Sequence, residues 1–314
     1  FIFLRQWHAL KDYVNRLGIR IVGDIPLYVA ADSADVWANP SLFKLKKDLR
    51  AKKVAGVPPD YFSATGQLWG NPVYDWKKHA SDGYAWWRER IRRAFGLYDA
   101  VRIDHFRGFD RYYEIDAGEE TAVNGRWRRG PGYALFEAIR ADLGDLDFIA
   151  EDLGTLDAGV YRLMKKTGYP GMKVLQFAFD GNPENSYLPS RIGENSICYT
   201  GTHDNDTMVG FLEKMDEGAR AAFYVREREE LKKLGIARRI SGVRSAASAA
   251  AELALACKAK LAVLPMQDIL LSGGDTRMNV PSVSAGNWCY RLEKMPPQRA
   301  AEELRALVSR YGRI

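Results

Sequence analysis

The stretch AVRIDHF, residues 100–106, is the most informative one for the fold, because in it a mostly apolar run leads into an aspartate and a histidine. It is short and lacks polar–apolar alternation, which is typical of a parallel strand buried on both faces. Runs of the same character occur at residues 19–29, 147–151, 173–179, 196–202 and 259–264. The pattern therefore predicts six strands of a parallel sheet.

Helical patterns alternate with these strands. They cover residues 4–17, 84–97, 133–143, 158–166, 217–234, 244–258 and 298–311. Alternating strands and helices imply parallel βα units with right-handed crossovers. Six units are more than a small sheet needs and fewer than a closed barrel needs. We therefore predict an α/β fold, a (β/α)8 TIM barrel with helical insertions that lacks N-terminal strands in this chain. An open, doubly wound sheet of six strands is the alternative.

The chain carries no linker or low-complexity tract. Residues 1–314 are therefore predicted to form a single catalytic barrel domain, partial, with about six of eight strand–helix units and a helical insertion at about 207–258. Because the first residue is Phe1 and not Met, we expect the chain to begin inside a longer protein.

Residues 55–78 do not fit the alternation of strands and helices. They show no sustained period, although large apolar side chains such as Tyr61, Phe62 and Trp69 lie among them. Loops of this length inside compact domains are uncommon and usually functional. We predict a lid loop over a cleft at about 55–78, with an ordinary surface insertion as the alternative.

The composition narrows the function classes. Hydrophobic residues make up 46% of the chain and charged residues 27%, as in globular proteins. The net charge of +6 comes with no helix-turn-helix, zinc-finger or RNA-recognition signature, so no nucleic-acid partner is expected. No apolar run is long enough to span a membrane. The three cysteines form no Cys-x-x-Cys pair, which favours a reducing compartment, and we expect a cytoplasmic protein.

An acidic residue stands at or just beyond the carboxyl end of every predicted strand. The six are Asp24, Asp104, Glu151, Asp180, Asp204 and Asp268. In a parallel barrel these ends converge on the face that holds the active site. The alternative for Asp24, Asp180 and Asp268 is that they are helix N-caps.

Clustered carboxylates fit either a metal site or a paired acid/base site. The dipeptides at 104–105 and 203–204 each join an aspartate to a histidine, but the chain has only four histidines and no His-x-His motif. We therefore expect no metal and no cofactor. Arg102 and Asp104 point to the same side of an extended strand, and the guanidinium favours an ionised nucleophile. Glu151 ends an apolar run, where desolvation suits it to be a proton donor.

Several motifs taken together resemble one enzyme family. They are VRIDHFRG (101–108), IAEDLG (149–154), TGTHDNDT (200–207), GDIP (23–26), the loop at 58–72 and PMQD (265–268). In this order and spacing they resemble the 4-α-glucanotransferases, also called amylomaltases or disproportionating enzymes, of glycoside hydrolase family 77. The resemblance runs from about residue 5 to residue 291. It weakens at NWCYR (287–291), where Tyr290 stands in place of an expected tryptophan.

The resemblance implies a role for each matching position. Asp104 matches the nucleophile, Glu151 the general acid/base and Asp204 the third carboxylate, which grips substrate hydroxyls. The resemblance also implies substrate-binding positions. Those that contact the nucleophile or the sugar are Arg102, His105 and His203, and those in the lid are Asp60, Gln67 and Trp69. We add Asp24 and Tyr28, at strand ends, as further candidates for substrate binding.

The family implies a fold and an activity. The fold is a (β/α)8 barrel related to that of the α-amylases, with helical insertions. The activity is that of a hexosyltransferase that moves α-1,4-linked segments between maltooligosaccharides, starch or glycogen by a retaining double displacement, for which carboxyl groups about 5 Å apart are expected. Three alternatives remain, namely an inactive glucan-binding fragment, an α-glucan hydrolase and a metal-dependent hydrolase. No nucleic acid and no membrane is expected as a partner.

Overall fold

The computed structural model describes residues 1–59, 63–154, 156–281, 283 and 285–313. The chain divides into two compact units, Phe1–Gly171 and Met172–Ile314. No helix in the described residues combines the length and the apolar character that crossing a bilayer requires.

The described residues of the first unit form seven strands and six α-helices. The strands are β1 (Val22–Ile25), β2 (Lys53–Val57), β3 (Gln67–Pro72), β4 (Ala100–Ile103), β5 (Arg111–Asp116), β6 (Arg126–Arg129) and β7 (Phe148–Ala150). The helices are α1 (Ile2–Arg16), α2 (Ala34–Ala38), α3 (Trp76–Ser81), α4 (Ala85–Leu97), α5 (Tyr133–Leu143) and α6 (Ala158–Thr167).

A parallel sheet in the order β1-β4-β7 positions the candidate site. Every residue of β4 and β7 is buried, and apart from Arg102 of β4 all of them are apolar, as expected for parallel strands covered on both faces. The three strands end level with one another, since Ile103 is opposite both Ile25 and Ala150. Residues that directly follow these strands are therefore neighbours.

One glycine in this sheet is required by a close approach. A Cβ atom added to Gly23 of β1 would lie 2.0 Å from the ring of Tyr98. The ring of Tyr98 is in turn packed edge-on by Trp7 of α1. Only glycine lets the strand and these rings pack at this distance.

Residues 53–57 and 67–72 form strands, and most of both segments lies where the sequence predicted a lid loop at about 55–78. β2 and β3 pair antiparallel and join a four-stranded sheet in the order β3-β2-β5-β6. The sequence pattern did not reveal β3 and β6 because neither has a continuous buried face: three of the six residues of β3 are exposed and only one is buried, and all four residues of β6 are exposed. Residues 60–62 lie outside the described part of the chain.

An aromatic cluster fills the core of the first unit. Tyr74, Trp87, Phe106 and Phe109 are almost completely buried, and the rings of Trp87 and Phe109 lie 5.4 Å apart. Burial of each such side chain stabilises the fold by about 1.5–3 kcal/mol. The 3-10 turn that carries Phe106 and Phe109 directly follows β4, so this packing also holds the end of that strand.

Three strands and five α-helices are found in the part of the second unit that the structure describes. The strands are β8 (Gly171–Val174), β9 (Ser196–Tyr199) and β10 (Leu261–Val263), and the helices are α7 (Met208–Lys214), α8 (Glu217–Lys233), α9 (Val243–Ala256), α10 (Met266–Ile269) and α11 (Gln298–Arg310). The strand order is β10-β9-β8, and β9 is wholly buried. The alanine-rich helix α9 is buried along most of its length, because small side chains let neighbouring helices approach it closely.

Five of the six predicted strand runs contain an observed strand. The sixth, residues 173–179, overlaps β8 only at residues 173 and 174, because residues 175–177 form a 3-10 turn instead. The predicted α/β class is confirmed. Helices α7, α8 and α9 occupy the region predicted as a helical insertion.

Candidate active site

Asp104 and Glu151 follow directly after the neighbouring strands β4 and β7. The backbone N–H of Glu151 donates to Ile103 at 3.1 Å, and that of Asp104 donates to Ile25 at 3.0 Å. The sheet hydrogen bonds therefore continue into the two acidic residues and hold their backbone at one edge of the sheet.

Arg102 links Asp104 to a second carboxylate. Its guanidinium donates to Asp24 Oδ2 at 2.6 Å and to Asp104 Oδ1 at 3.1 Å. Asp24 lies directly opposite Arg102 in the sheet register. The arginine side chain is only 11% exposed, whereas both carboxylates are more than one-third exposed. A buried cation thus fixes two accessible carboxylates side by side.

Glu151 occupies a site that favours its protonated form. Burial and the negative charge of Asp104 raise the pKa of Glu151 to about 7, while Arg102 opposes the rise. Two backbone N–H groups orient its carboxyl group, from His105 to Oε2 at 2.8 Å and from Leu153 to Oε1 at 2.7 Å. A carboxyl group with this pKa can both give and take a proton near neutral pH.

His105 has a left-handed backbone with φ +52°, uncommon for a residue other than glycine. Burial lowers the pKa of its imidazole to about 3, so the ring is neutral. Its Nε2 atom is buried and has no hydrogen-bond partner among the described residues. The ring stands edge-on to Trp69 at 4.8 Å.

The other residues of the first unit that were predicted to bind substrate differ in how exposed their side chains are. Trp69 donates from Nε1 to the side chain of Gln67 at 3.0 Å, and Gln67 is exposed on β3. Tyr28 is only 7% exposed, because it packs on Trp69 and stacks on Tyr74, and this leaves little of its ring for a ligand. Asp60 lies outside the described residues.

In the second unit, His203 and Asp204 follow the buried strand β9. The imidazole Nε2 of His203 lies 3.5 Å from Asp204 Oδ2. Asn279 donates from its side chain to Asp204 Oδ1 at 2.6 Å, and Arg277 donates to the backbone carbonyl of Asp204 at 2.5 Å. The ring of Trp288 lies 5.0 Å from that of His203.

A buried carboxylate lies at the base of the same loop. Asp268 is 1% exposed and accepts from the Thr200 hydroxyl at 2.5 Å and from the backbone N–H of Met208 at 2.7 Å. Burial raises the pKa of Asp268. These bonds tie the two ends of the loop at 200–208 to α10, so the loop that carries His203 and Asp204 has a fixed base.

The alternative interpretation of three acids as helix N-caps is wrong. Asp24 binds Arg102, Asp268 lies inside α10, and Asp180 accepts from the backbone of Asn182 in a turn. Each carboxylate has a partner that a sequence pattern does not reveal.

Sequence reasoning missed Arg277 and Asn279. Both lie in an irregular segment after α10 where no period exists, and Asn279 is 75 residues from its partner in the chain. Among the described residues, no group of three or more histidine, cysteine, aspartate or glutamate side chains is arranged to hold a metal ion.

Two carboxyl groups with unlike surroundings, at the ends of adjacent parallel strands, define a class of protein. One is paired with an arginine and the other is desolvated with a raised pKa. This combination is the acid/base arrangement of enzymes that cleave glycosidic bonds. The comparison with protein families is more specific, because the model of the glycoside hydrolase family 77, described as 4-alpha-glucanotransferase, matches residues 1–296. The chain belongs to this family.

Curated relatives agree with the family assignment. The chain is 46% identical over 318 residues to a 4-alpha-glucanotransferase of Streptococcus pneumoniae, covering 100% of this chain and 60% of that protein. It is 44% identical over 318 residues to a chloroplastic/amyloplastic 4-alpha-glucanotransferase of Arabidopsis thaliana, covering 100% of this chain and 53% of that protein. The chain thus spans between half and two-thirds of the length of these relatives.

Solved structures agree as well. An amylomaltase from Streptococcus agalactiae in complex with acarbose is similar with a TM-score of 0.90 and 39% identity, over 98% of this chain and 60% of that chain. An amylomaltase from Corynebacterium glutamicum has the same fold, with a TM-score of 0.79 at 20% identity over 98% of this chain and 48% of that chain. The likeness assigns the chain to the (β/α)8-barrel class, of which it contains a part.

Proposed function

We propose that this chain carries catalytic residues of a 4-α-glucanotransferase, which transfers α-1,4-linked glucan segments between maltooligosaccharides, starch or glycogen. Asp104 is the nucleophile, Glu151 the general acid/base and Asp204 the third carboxylate. The observation that carries the proposal is the contrast between two adjacent carboxyl groups. Asp104 is held by Arg102, whereas the pKa of Glu151 is raised to about 7.

The contrast supports a retaining double displacement. In the first step, a carboxylate oxygen of Asp104 bonds to the anomeric carbon while the glycosidic bond breaks. Glu151 gives its proton to the departing 4-oxygen. In the second step, Glu151 takes the proton from the 4-hydroxyl of an acceptor glucan, whose oxygen displaces Asp104 from the anomeric carbon. Glu151 is protonated again at the end of the cycle.

The surroundings of Glu151 suit both of its roles. An acid/base is most effective when its pKa lies near the working pH, since each protonation state is then well populated. The two backbone N–H donors hold the carboxyl group in place in either state. The neutral ring of His105 adds no positive charge that would lower the pKa of Glu151.

The assignments outside this pair rest on the motifs they share with the family. Asp204 and His203 are proposed to bind hydroxyls of the sugar, contacts that stabilise the transition state if they strengthen as the ring flattens. Gln67, Trp69 and Asp60 are proposed to form the acceptor-side lid. An apolar lid that excludes water would favour transfer over hydrolysis.

The proposed cellular setting is the cytoplasm. Among the described residues Cys198, Cys257 and Cys289 are all free thiols, the first two buried and the third exposed. Free thiols are typical of a reducing compartment.

The experiment is incubation of the protein with maltotriose, followed by separation of the products by size, with Asp104→Asn as the control. Glucose together with a ladder of longer maltooligosaccharides, absent in the variant, is the expected result. Glucose and maltose alone would identify a hydrolase. Binding of maltotriose with no product in either protein would identify a glucan-binding protein and overturn the proposal.

A further inference from the structure

The carboxylate of Asp204 is not held by packing. Its side chain is 43% exposed, so neighbouring atoms do not determine its rotamer. A carboxylate that binds a sugar hydroxyl contributes to the transition state only if its oxygen is already in place. The orientation of Asp204 must therefore come from hydrogen bonds.

Asn279 supplies the side-chain bond. Its Nδ2 donates to Asp204 Oδ1 at 2.6 Å, a short distance that is typical of hydrogen bonds to a charged acceptor. For the other oxygen, Oδ2, the polar partner found among the described residues is the imidazole of His203, at 3.5 Å. One oxygen is thus committed to the protein, and the other remains open to a ligand.

The backbone of Asn279 is tied to the same loop. Its N–H donates to the carbonyl of His203 at 3.1 Å, and its own carbonyl accepts from Arg277 Nε at 2.8 Å. A second nitrogen of Arg277 donates to the carbonyl of Asp204 at 2.5 Å. Residues 277–279 and residues 203–204 therefore form one closed ring of hydrogen bonds.

This segment is itself anchored on both sides. Gln267, a buried residue of α10, donates from its side chain to the carbonyl of Thr276 at 3.1 Å. On the other side, the backbone N–H of Trp288 donates to the carbonyl of Met278 at 2.8 Å. The donor atom of Asn279 is thus fixed relative to β9 and α10.

We propose that Asn279 is the positioning residue of Asp204, and that it reserves Oδ2 as a single acceptor for a sugar hydroxyl. The inference rests on the proposed function and deepens it. A neutral amide is suited to this role. It orients the carboxylate without cancelling the negative charge that stabilises an oxocarbenium-like transition state, as a lysine or an arginine at the same place would.

The kinetic test compares two variants with the natural protein, using maltotriose as the substrate. Asn279→Ala removes the donor, and we expect kcat to fall about 10²-fold or more while KM changes little, as for a contact that acts in the transition state. A loss confined to KM, or a loss of kcat below about twofold, would overturn the inference.

Asn279→Asp supplies a signature that a merely structural role would not produce. Two carboxyl groups at 2.6 Å must share a proton, so at low pH the new group donates to Asp204 as the amide does, and at high pH the two repel. The kcat of this variant relative to the natural protein should rise about tenfold from pH 8 to pH 5. In the part of the chain that the structure describes, the other charged or titratable groups in contact with Asp204 are His203 and Arg277, and neither is changed. A ratio independent of pH would contradict the inference.

Asn124→Ala is the matched control, because Asn124 donates to Glu119 at 2.9 Å in an exposed pair outside the site. We expect its kcat to be unchanged.

A structural readout separates this inference from the proposed function. In crystals of Asn279→Ala, the carboxylate of Asp204 should rotate away from its original direction. If the natural protein makes no product from maltotriose, the proposed function fails, but this rotation still decides the inference. An unrotated carboxylate would refute it.

Discussion

The carboxyl group of Glu151 accepts a hydrogen bond at 2.8 Å from the backbone N–H of His105, the residue that directly follows Asp104. The turn after β4 thus presents the proposed nucleophile and, one residue later, holds the proposed acid/base. The left-handed backbone of His105 belongs to this turn, and its ring is fixed against Trp69. The two carboxyl groups cannot move independently of this turn.

The raised pKa of Glu151 makes a prediction for the pH dependence of donor cleavage. Cleavage needs the protonated acid, so kcat/KM for maltotriose should fall as the pH rises through about 7, the pKa of Glu151. The measurement is kcat/KM from about pH 5 to about pH 9. A rate that stays level to pH 9 would contradict the assignment. Glu151→Gln should lower kcat by about 10²–10⁴-fold.

The same pKa predicts a stability effect. A carboxyl group whose folded pKa exceeds its unfolded pKa binds its proton more tightly in the folded state, so stability is lost as the pH rises from about 4.5 to about 7. Glu151→Gln should remove this loss. We expect the variant to unfold at higher temperature than the natural protein at pH 8, by an amount that shrinks toward pH 4.5. If the difference in unfolding temperature between the variant and the natural protein is the same at pH 8 and pH 4.5, the charge of Glu151 is not the cause of the stability loss.

Asp24 should matter for catalysis through Arg102. Asp24→Asn removes the negative charge that the guanidinium pairs with at 2.6 Å. The weaker pairing lets the guanidinium shift away from Asp104, and we expect kcat to fall about tenfold to a hundredfold, since small displacements at a reacting centre are costly. Asp145→Asn breaks an exposed pair with Arg140 and is the control expected to keep full activity. Equal kcat values for the two variants would refute this role of Asp24.

The residues of this site that could be predicted from the sequence are those that lie in regular local patterns of apolar and polar residues. β7 is a wholly apolar run, β4 is apolar except for Arg102, and Arg102 faces Asp104 because strand side chains alternate. The pairing of Asp24 with Arg102 was not predicted, because it depends on the register of two strands whose residues are 78 positions apart. Local sequence does not contain that register.

The antiparallel sheet was missed for a different reason. Periodicity identifies a strand only when one face is buried, and β6, with the sequence RWRR, is exposed at all four residues. β6 is a strand because its backbone pairs with that of β5, and backbone pairing does not require any particular side chains that a sequence pattern could reveal. Asn279 was missed in the same way, since its role follows from a contact between two irregular segments.

The burial of Glu227 in α8 leads us to expect that an apolar substitution at this position stabilises the protein. It is completely buried, and neither carboxylate oxygen has a hydrogen-bond partner among the described residues. Burial raises the pKa of Glu227 well above its ordinary value. Glu227→Met should raise the free energy of unfolding by about 1–3 kcal/mol near neutral pH, because an unpaired buried polar group is replaced by an apolar one of similar size.

The sign of the pH effect provides the check for Glu227. In the natural protein stability falls as the pH rises above about 4.5, since only the unfolded chain then releases this proton freely. The gain from Glu227→Met, measured by urea unfolding, should therefore be larger at pH 8 than at pH 5. Glu229→Met is the control on the same helix, because Glu229 is exposed beside Arg226. A gain of the same size from both variants would refute the explanation.

Gly23 and Gly96 predict opposite effects of the same substitution. At Gly23 an added Cβ would lie 2.0 Å from the ring of Tyr98, which cannot retreat because Trp7 packs against it. Gly23→Ala should therefore lower the free energy of unfolding by about 1–3 kcal/mol. At Gly96, inside α4, an added Cβ meets no atom within 4 Å, and Gly96→Ala should raise it by about 0.4–1 kcal/mol by restricting the unfolded chain. Urea unfolding of both variants measures the difference. If Gly23→Ala proves as stable as the natural protein, β1 and the ring of Tyr98 do not pack as closely as described.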